Sequence, residues 1–183
     1  MINFNKPYLT GKEMHYMYQA VYSGKISGNG LFTKKCQAFL EQKYGFKKTL
    51  LTTSCTDALE MCAILADIKP GDEVIAASDM YGGTYRLFTK IFEKFGIKFL
   101  YTDTTNTANI KSIVSKKTKL IWLETPTNPL MNICDIAAVA ALAKKQDILV
   151  GVDNTFASPY LQNPLDLGAD IVMHSVTKYL GGH

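Results

Sequence analysis

The chain has no long apolar run: the longest, residues 136–143, is far too short to cross a bilayer. No charged-then-apolar order opens the sequence at Met-Ile-Asn-Phe-Asn-Lys-Pro, so nothing there reads as a secretory signal. Cysteine is scarce, with four residues at 36, 55, 62 and 134. None forms a C-x-x-C pair and no histidine cluster stands beside them. That argues against a zinc site and a disulfide framework and suits a reducing cytoplasm. The basic residues fall in scattered pairs, such as Lys34-Lys35 and Lys116-Lys117, best read as solvated lysines near helix ends and turns. With no basic stripe and no interleaved aromatics, nucleic acid is not the expected partner, nor is a membrane. No G-x-G-x-x-G follows a predicted strand, which disfavours a dinucleotide fold. Repeats and low-complexity stretches are absent too.

What is present is globular. The 183 residues are 47% hydrophobic and 20% charged, with a net charge of +4. That length is one domain, or part of a larger one. Strand-like runs at 49–53, 73–77, 97–101, 120–123, 148–152 and 170–173 alternate with helical patterns at 57–66, 83–95, 109–115 and 136–145. Several strands are apolar on both faces, as expected where helices cover both sides. The pattern predicts an α/β fold with a mostly parallel sheet. The first 45 residues differ, offering helices over 12–22 and 33–44 around Ser27-Gly28-Asn29-Gly30. The expected organisation is an N-terminal helical arm, 1–45, and an α/β domain, 46–183.

Ligands of open α/β sheets bind beyond the carboxyl ends of the strands, and polar residues stand at several such ends. Ser54-Cys55-Thr56 opens a helix, where free N–H groups and the helix dipole favour a phosphate. A plain helix cap explains the same residues. Asp153 ends an apolar strand, where a carboxylate needs a cationic partner or good hydrogen bonds; capping of the next turn is the alternative. Ser175-Val176-Thr177-Lys178 sets two hydroxyls on alternate residues beside a lysine that can form a Schiff base if its surroundings allow. Together these are the parts that pyridoxal phosphate needs. The lysine holds the aldehyde as an aldimine. The aspartate keeps the pyridine nitrogen protonated, and hydroxyls with a helix N-terminus hold the phosphate.

Four stretches then carry a resemblance: Asp79-Met80-Tyr81-Gly82-Gly83-Thr84, Glu124-Thr125-Pro126-Thr127-Asn128-Pro129, Val152-Asp153-Asn154-Thr155-Phe156, and His174 through Lys178 into Tyr179-Leu180-Gly181-Gly182-His183. From residue 78 on, the chain resembles the Cys/Met-metabolism family of fold-type-I pyridoxal phosphate enzymes, which includes cystathionine synthases and lyases and methionine lyase. The resemblance implies that Tyr81 stacks on the cofactor ring and assists proton transfer. Asn128 would bond the ring hydroxyl and Asp153 the ring nitrogen. Ser175 and Thr177 would bind phosphate, and Lys178 would carry the aldimine and shuttle the proton. Thr155 and Glu124 would support them. Residues 1–76 instead resemble sugar aminotransferases of the DegT/DnrJ/EryC1 type, in Ile2-Asn3-Phe4-Asn5-Lys6-Pro7, 23–30, 50–61 and 70–75. In that family the turn matching Ser54-Cys55-Thr56 contacts the phosphate. The chain therefore reads as a hybrid that stops after the lysine motif.

The implied reaction is elimination or replacement at Cγ or Cβ of a small amino acid, through a Lys178 aldimine. It would be impaired by lack of the C-terminal part that holds the substrate carboxylate in the family. Both families place their sites near a dimer interface, so a homodimer or higher homo-oligomer is expected. Two further readings stand beside this one: a nucleotide-sugar (4-keto-6-deoxyhexose) aminotransferase, and a non-catalytic fragment of the fold.

Overall fold

The computed structural model describes residues 9–181. The chain divides between Thr53 and Ser54 into two compact units. The first contains α1 (Glu13–Tyr22) and α2 (Leu31–Tyr44), and neither helix buries a residue. The Tyr16 and Phe32 rings meet edge-on at 5.5 Å. Gly45 closes α2 in the left-handed conformation, the usual role of glycine just past a helix. The β-prone run 49–53 forms no strand. The Thr49 N–H donates to Glu41 Oε1 at 2.8 Å instead. Among the described residues no neighbouring strand offers it a ladder, and β propensity without a partner does not make a strand.

The second unit, Ser54–Leu180, holds the sheet. Its elements in order are α3 (Cys55–Leu65), β1 (Glu73–Ala77), α4 (Gly82–Lys90), β2 (Lys98–Thr102), α5 (Thr107–Ile113), β3 (Thr118–Glu124), α6 (Ile136–Lys144), β4 (Leu149–Asp153), α7 (Ser158–Leu161) and β5 (Ile171–Met173). The five strands lie in the order β2-β1-β3-β4-β5 and every pairing is parallel. This is the predicted α/β class. The helix expected over 83–95 stops at Lys90, and Phe92–Phe95 continue as a 3-10 turn ending at Gly96, φ 79°. The short helix α7 had no counterpart in the sequence reading.

Strand side chains alternate between two cores, because successive Cβ atoms point to opposite faces. Val74, Ala76, Leu120 and Trp122 join Leu59, Phe88 and Phe99 on one face. Ile75, Ile121, Leu123 and Val150 join Ile110, Val139 and Ala143 on the other. Phe88 stacks on Phe99 at 4.5 Å and meets Trp122 edge-on at 6.2 Å. Full burial of such side chains is worth about 1.5–3 kcal/mol each. Both faces are therefore covered, as the doubly apolar strands implied. Among the described residues no helix is long and apolar enough to cross a membrane.

Candidate active site

The strand order fixes where a ligand can sit. The chain leaves β1 toward β2 on one side, and β3 lies on the other. Loops leaving adjacent carboxyl ends of β1 and β3 thus diverge and open a crevice, the usual ligand position in such sheets. A cavity of about 570 Å³ lies there, within the second unit. Its lining includes Cys55, Thr56, Tyr81, Asn128, Asp153, Thr155, Ser175, Thr177 and Lys178. The structure thus brings together every candidate residue except Ser54. The Ser54 side chain accepts the Asp57 N–H at 3.1 Å, the helix-cap role left open above, while the first turn of α3 behind it faces the cavity.

Each strand end contributes a distinct group. Asp153 ends β4 and is 6% exposed. Its Oδ1 accepts the Thr155 N–H at 3.0 Å and the Thr155 hydroxyl at 2.5 Å. Burial pushes its pKa above the usual carboxylate range, while the Thr155 bonds and the Lys178 charge oppose the rise. Thr155 Oγ1 in turn accepts the Ser175 N–H at 2.9 Å, tying the loop after β4 to the loop after β5. In that second loop the Ser175 and Thr177 hydroxyls lie 3.2 Å apart, and Lys178 Nζ lies 3.4 Å from Thr177 Oγ1.

On the other flank, Glu124 ends β3 and is 4% exposed. Its Oε2 accepts the Tyr81 N–H at 2.8 Å. Burial, followed by the Asp153 and Asp79 charges, drives its pKa up to about 8 against the pull of the Tyr81 and Asn128 N–H groups. The Tyr81 ring lies over Gly83: a Cβ on Gly83 would sit 2.4 Å from Tyr81 Cε1. Asp79 accepts hydrogen bonds from the Thr127 hydroxyl and from Asn132 Nδ2, the latter at 3.2 Å, so the loops after β1 and β3 are laced twice. Arg86 and Lys90 also line the cavity, one turn apart on α4. The sequence reading missed both. Arg86 is the chain's single arginine, a compositional signal that could have singled it out.

The donor set matches pyridoxal phosphate group by group. A buried carboxylate with one oxygen engaged suits a protonated ring nitrogen. The Thr56, Ser175 and Thr177 hydroxyls and the start of α3 suit a phosphate. Lys178 supplies the amine, and the cavity has the size of an ordinary cofactor site. The residues present fit the group.

Comparison with known proteins agrees. The family profile described as Cys/Met metabolism PLP-dependent enzyme matches residues 29–183. The chain is 54% identical over 116 residues to a cystathionine gamma-lyase of Dictyostelium discoideum, 63% of this chain and 30% of that protein. It is 52% identical over 120 residues to a cystathionine gamma-synthase/O-acetylhomoserine (thiol)-lyase of Bacillus subtilis, 66% of this chain and 32% of that protein. The chain thus spans about a third of the length of these curated relatives. A crystal structure of cystathionine gamma-lyase from Lactobacillus plantarum, complexed with L-serine, superimposes with a TM-score of 0.80 at 42% identity. That match covers 87% of this chain and 43% of the other. With the profile spanning most of its length and the cavity fitting the cofactor, the chain belongs to the pyridoxal-phosphate-dependent enzymes of cysteine and methionine metabolism.

Proposed function

We propose that this chain forms the cofactor-binding part of an enzyme that eliminates or replaces a group at Cγ or Cβ of a sulfur-containing amino acid. The observation that carries the reading is that Asp153, Ser175, Thr177 and Lys178 line one cavity at the switch point of a parallel sheet. Bound there, pyridoxal phosphate supplies an electron sink for negative charge developing at the substrate Cα. Asp153 holds the proton at the ring nitrogen. The start of α3, with the Ser175 and Thr177 hydroxyls, binds the phosphate, and Ser54 keeps that helix end in place. Cys55 and Thr56 form the wall beside it. Asn128 orients the ring hydroxyl, and Tyr81 covers the ring face and relays a proton. Lys178 Nζ takes the proton from Cα and returns one later in the sequence. Arg86 and Lys90 place positive charge at the rim, where an amino acid substrate presents carboxylate.

We assign residues 46–183 to the cofactor-binding domain and 1–45 to the arm, and the assembly to a cytoplasmic homodimer or higher homo-oligomer. A sugar-aminotransferase origin for 1–76 is part of the same proposal. The family profile begins at residue 29 and overlaps that stretch.

The test is an absorbance titration with pyridoxal phosphate beside a Lys178→Ala control, followed by assays of keto-acid release. A visible band in the parent and none in the control, with pyruvate or 2-oxobutanoate released from cystathionine or methionine, is the expected result. Amino transfer to a nucleotide-linked 4-keto sugar would point to the aminotransferase reading. Cofactor binding without turnover of either substrate would leave a non-catalytic fragment.

A further inference from the structure

One contact lies at the branch of the crevice, between two residues that both line the cavity. Glu124 ends the central strand β3, and its register partner on β4 is Asp153. Its Oε2 reaches across to the loop after β1 and accepts the Tyr81 N–H at 2.8 Å. Tyr81 immediately precedes α4, and no side chain caps that helix. The Glu124 carboxyl group therefore fixes the main chain at the residue whose ring lies over Gly83 and lines the cavity. Tyr81 arrives on the loop after β1 and Glu124 ends β3, so this hydrogen bond spans two elements whose loops diverge.

We infer that Glu124 is a positioning residue for the cofactor: its carboxyl group holds the Tyr81 main chain and so fixes the side chain meant to cover the ring. The inference rests on the cofactor reading above. Burial beside Asp153 and Asp79 favours the neutral acid near pH 7. In that form the carbonyl oxygen accepts the Tyr81 N–H without adding charge beside Asp153. Glutamine has the same shape, the same neutral state and one acceptor oxygen. Methionine fills a similar volume and offers no comparable acceptor.

The experiment compares the parent chain with Glu124→Gln and Glu124→Met. Amide hydrogen exchange at Tyr81 is measured without cofactor. Visible circular dichroism and affinity are then measured with pyridoxal phosphate. One lost hydrogen bond is worth about 0.5–1.5 kcal/mol, or roughly two- to tenfold. Glu124→Met is expected to speed Tyr81 exchange and weaken cofactor affinity by that factor, with a reduced dichroic band. Glu124→Gln is expected to stay within about twofold of the parent in both, by the same arithmetic. Unchanged Tyr81 exchange in Glu124→Met overturns the inference, as does Glu124→Gln matching Glu124→Met in both readouts. A parent that shows no cofactor band refutes the cofactor reading by itself, while the exchange data still decide whether Glu124 fixes Tyr81.

Discussion

Replacing Asp153 with asparagine is expected to stabilise the cofactor-free chain and weaken its hold on the cofactor. The side chain is 6% exposed, and burial raises its pKa. An unfolded aspartate ionises near 3.9, roughly its model-peptide value. The folded chain keeps that proton to higher pH, so stability is fully present below the unfolded value and falls as pH rises through the folded one. Asparagine removes the titration yet keeps an oxygen for the Thr155 N–H and hydroxyl, now at 3.0 and 2.5 Å. A buried polar group short of partners costs about 1–3 kcal/mol. For a chain of this size each kcal/mol recovered raises the unfolding temperature by roughly 2–4 °C. The same change deletes the charged partner of the ring nitrogen. A charge-assisted hydrogen bond is worth about 1.5–3 kcal/mol, so Kd for pyridoxal phosphate should rise about ten- to hundredfold. Thermal unfolding at pH 8 without cofactor, paired with an absorbance titration, reads both effects. A lower unfolding temperature for the variant, or an unchanged Kd, would refute the reasoning.

Other substitutions probe the same framework. In Gly83→Ala the three atoms nearest the new methyl all belong to the Tyr81 ring, Cε1 at 2.4 Å, so the ring must move. The expected result is weaker cofactor dichroism with an unfolding temperature close to the parent's. Gly151→Ala puts a methyl 2.8 Å from Trp122 Cε3, inside a packed core, and should cost about 1–3 kcal/mol in urea unfolding. His174 is half-buried, and desolvation depresses its pKa to about 4. A depressed histidine contributes stability above its unfolded pKa of about 6.5 that is lost as pH falls through the folded value. Urea midpoints of parent and His174→Gln, compared from pH 7 to 4, should therefore converge as the parent loses this contribution.

The parallel sheet was legible because its strands are apolar on both faces, and only helices on both sides can cover such runs. Strand ends then located the site, since Asp153 and the Ser175-to-Lys178 turn each follow an apolar run directly. Three features escaped for physical reasons. The apolar spacing of Tyr85, Phe88, Phe92 and Phe95 suits a helix, but the 3-10 turn at Phe92–Phe95 packs Phe92 against the core and leaves Phe95 exposed. Residues 49–53 have strand composition, but a strand is a pairing, and composition names no partner. Arg86 and Lys90 look like any cations on a solvated helix, and only the packing of α4 beside the crevice brings them to its wall.

The three carboxylates around the crevice show where sequence stops and environment begins. Asp79, Glu124 and Asp153 are each an acid at or just beyond a strand's carboxyl end, and nothing local in the sequence ranks them. Asp79 is engaged by Thr127 and Asn132. Glu124 is engaged by the Tyr81 N–H, and burial among like charges keeps its proton on to about pH 8. At Asp153 the hydrogen bonds among the described residues all fall on Oδ1, from Thr155. Its Oδ2 is the acceptor left for a ligand, in a carboxyl group whose burial makes an arriving cation favourable. Neighbouring acids are sorted into separate roles by their partners rather than by their identity. That sorting is why the Asp153→Asn and Glu124→Gln variants should diverge: the first loses a charge that the cofactor needs, and the second keeps the neutral acceptor that Tyr81 needs.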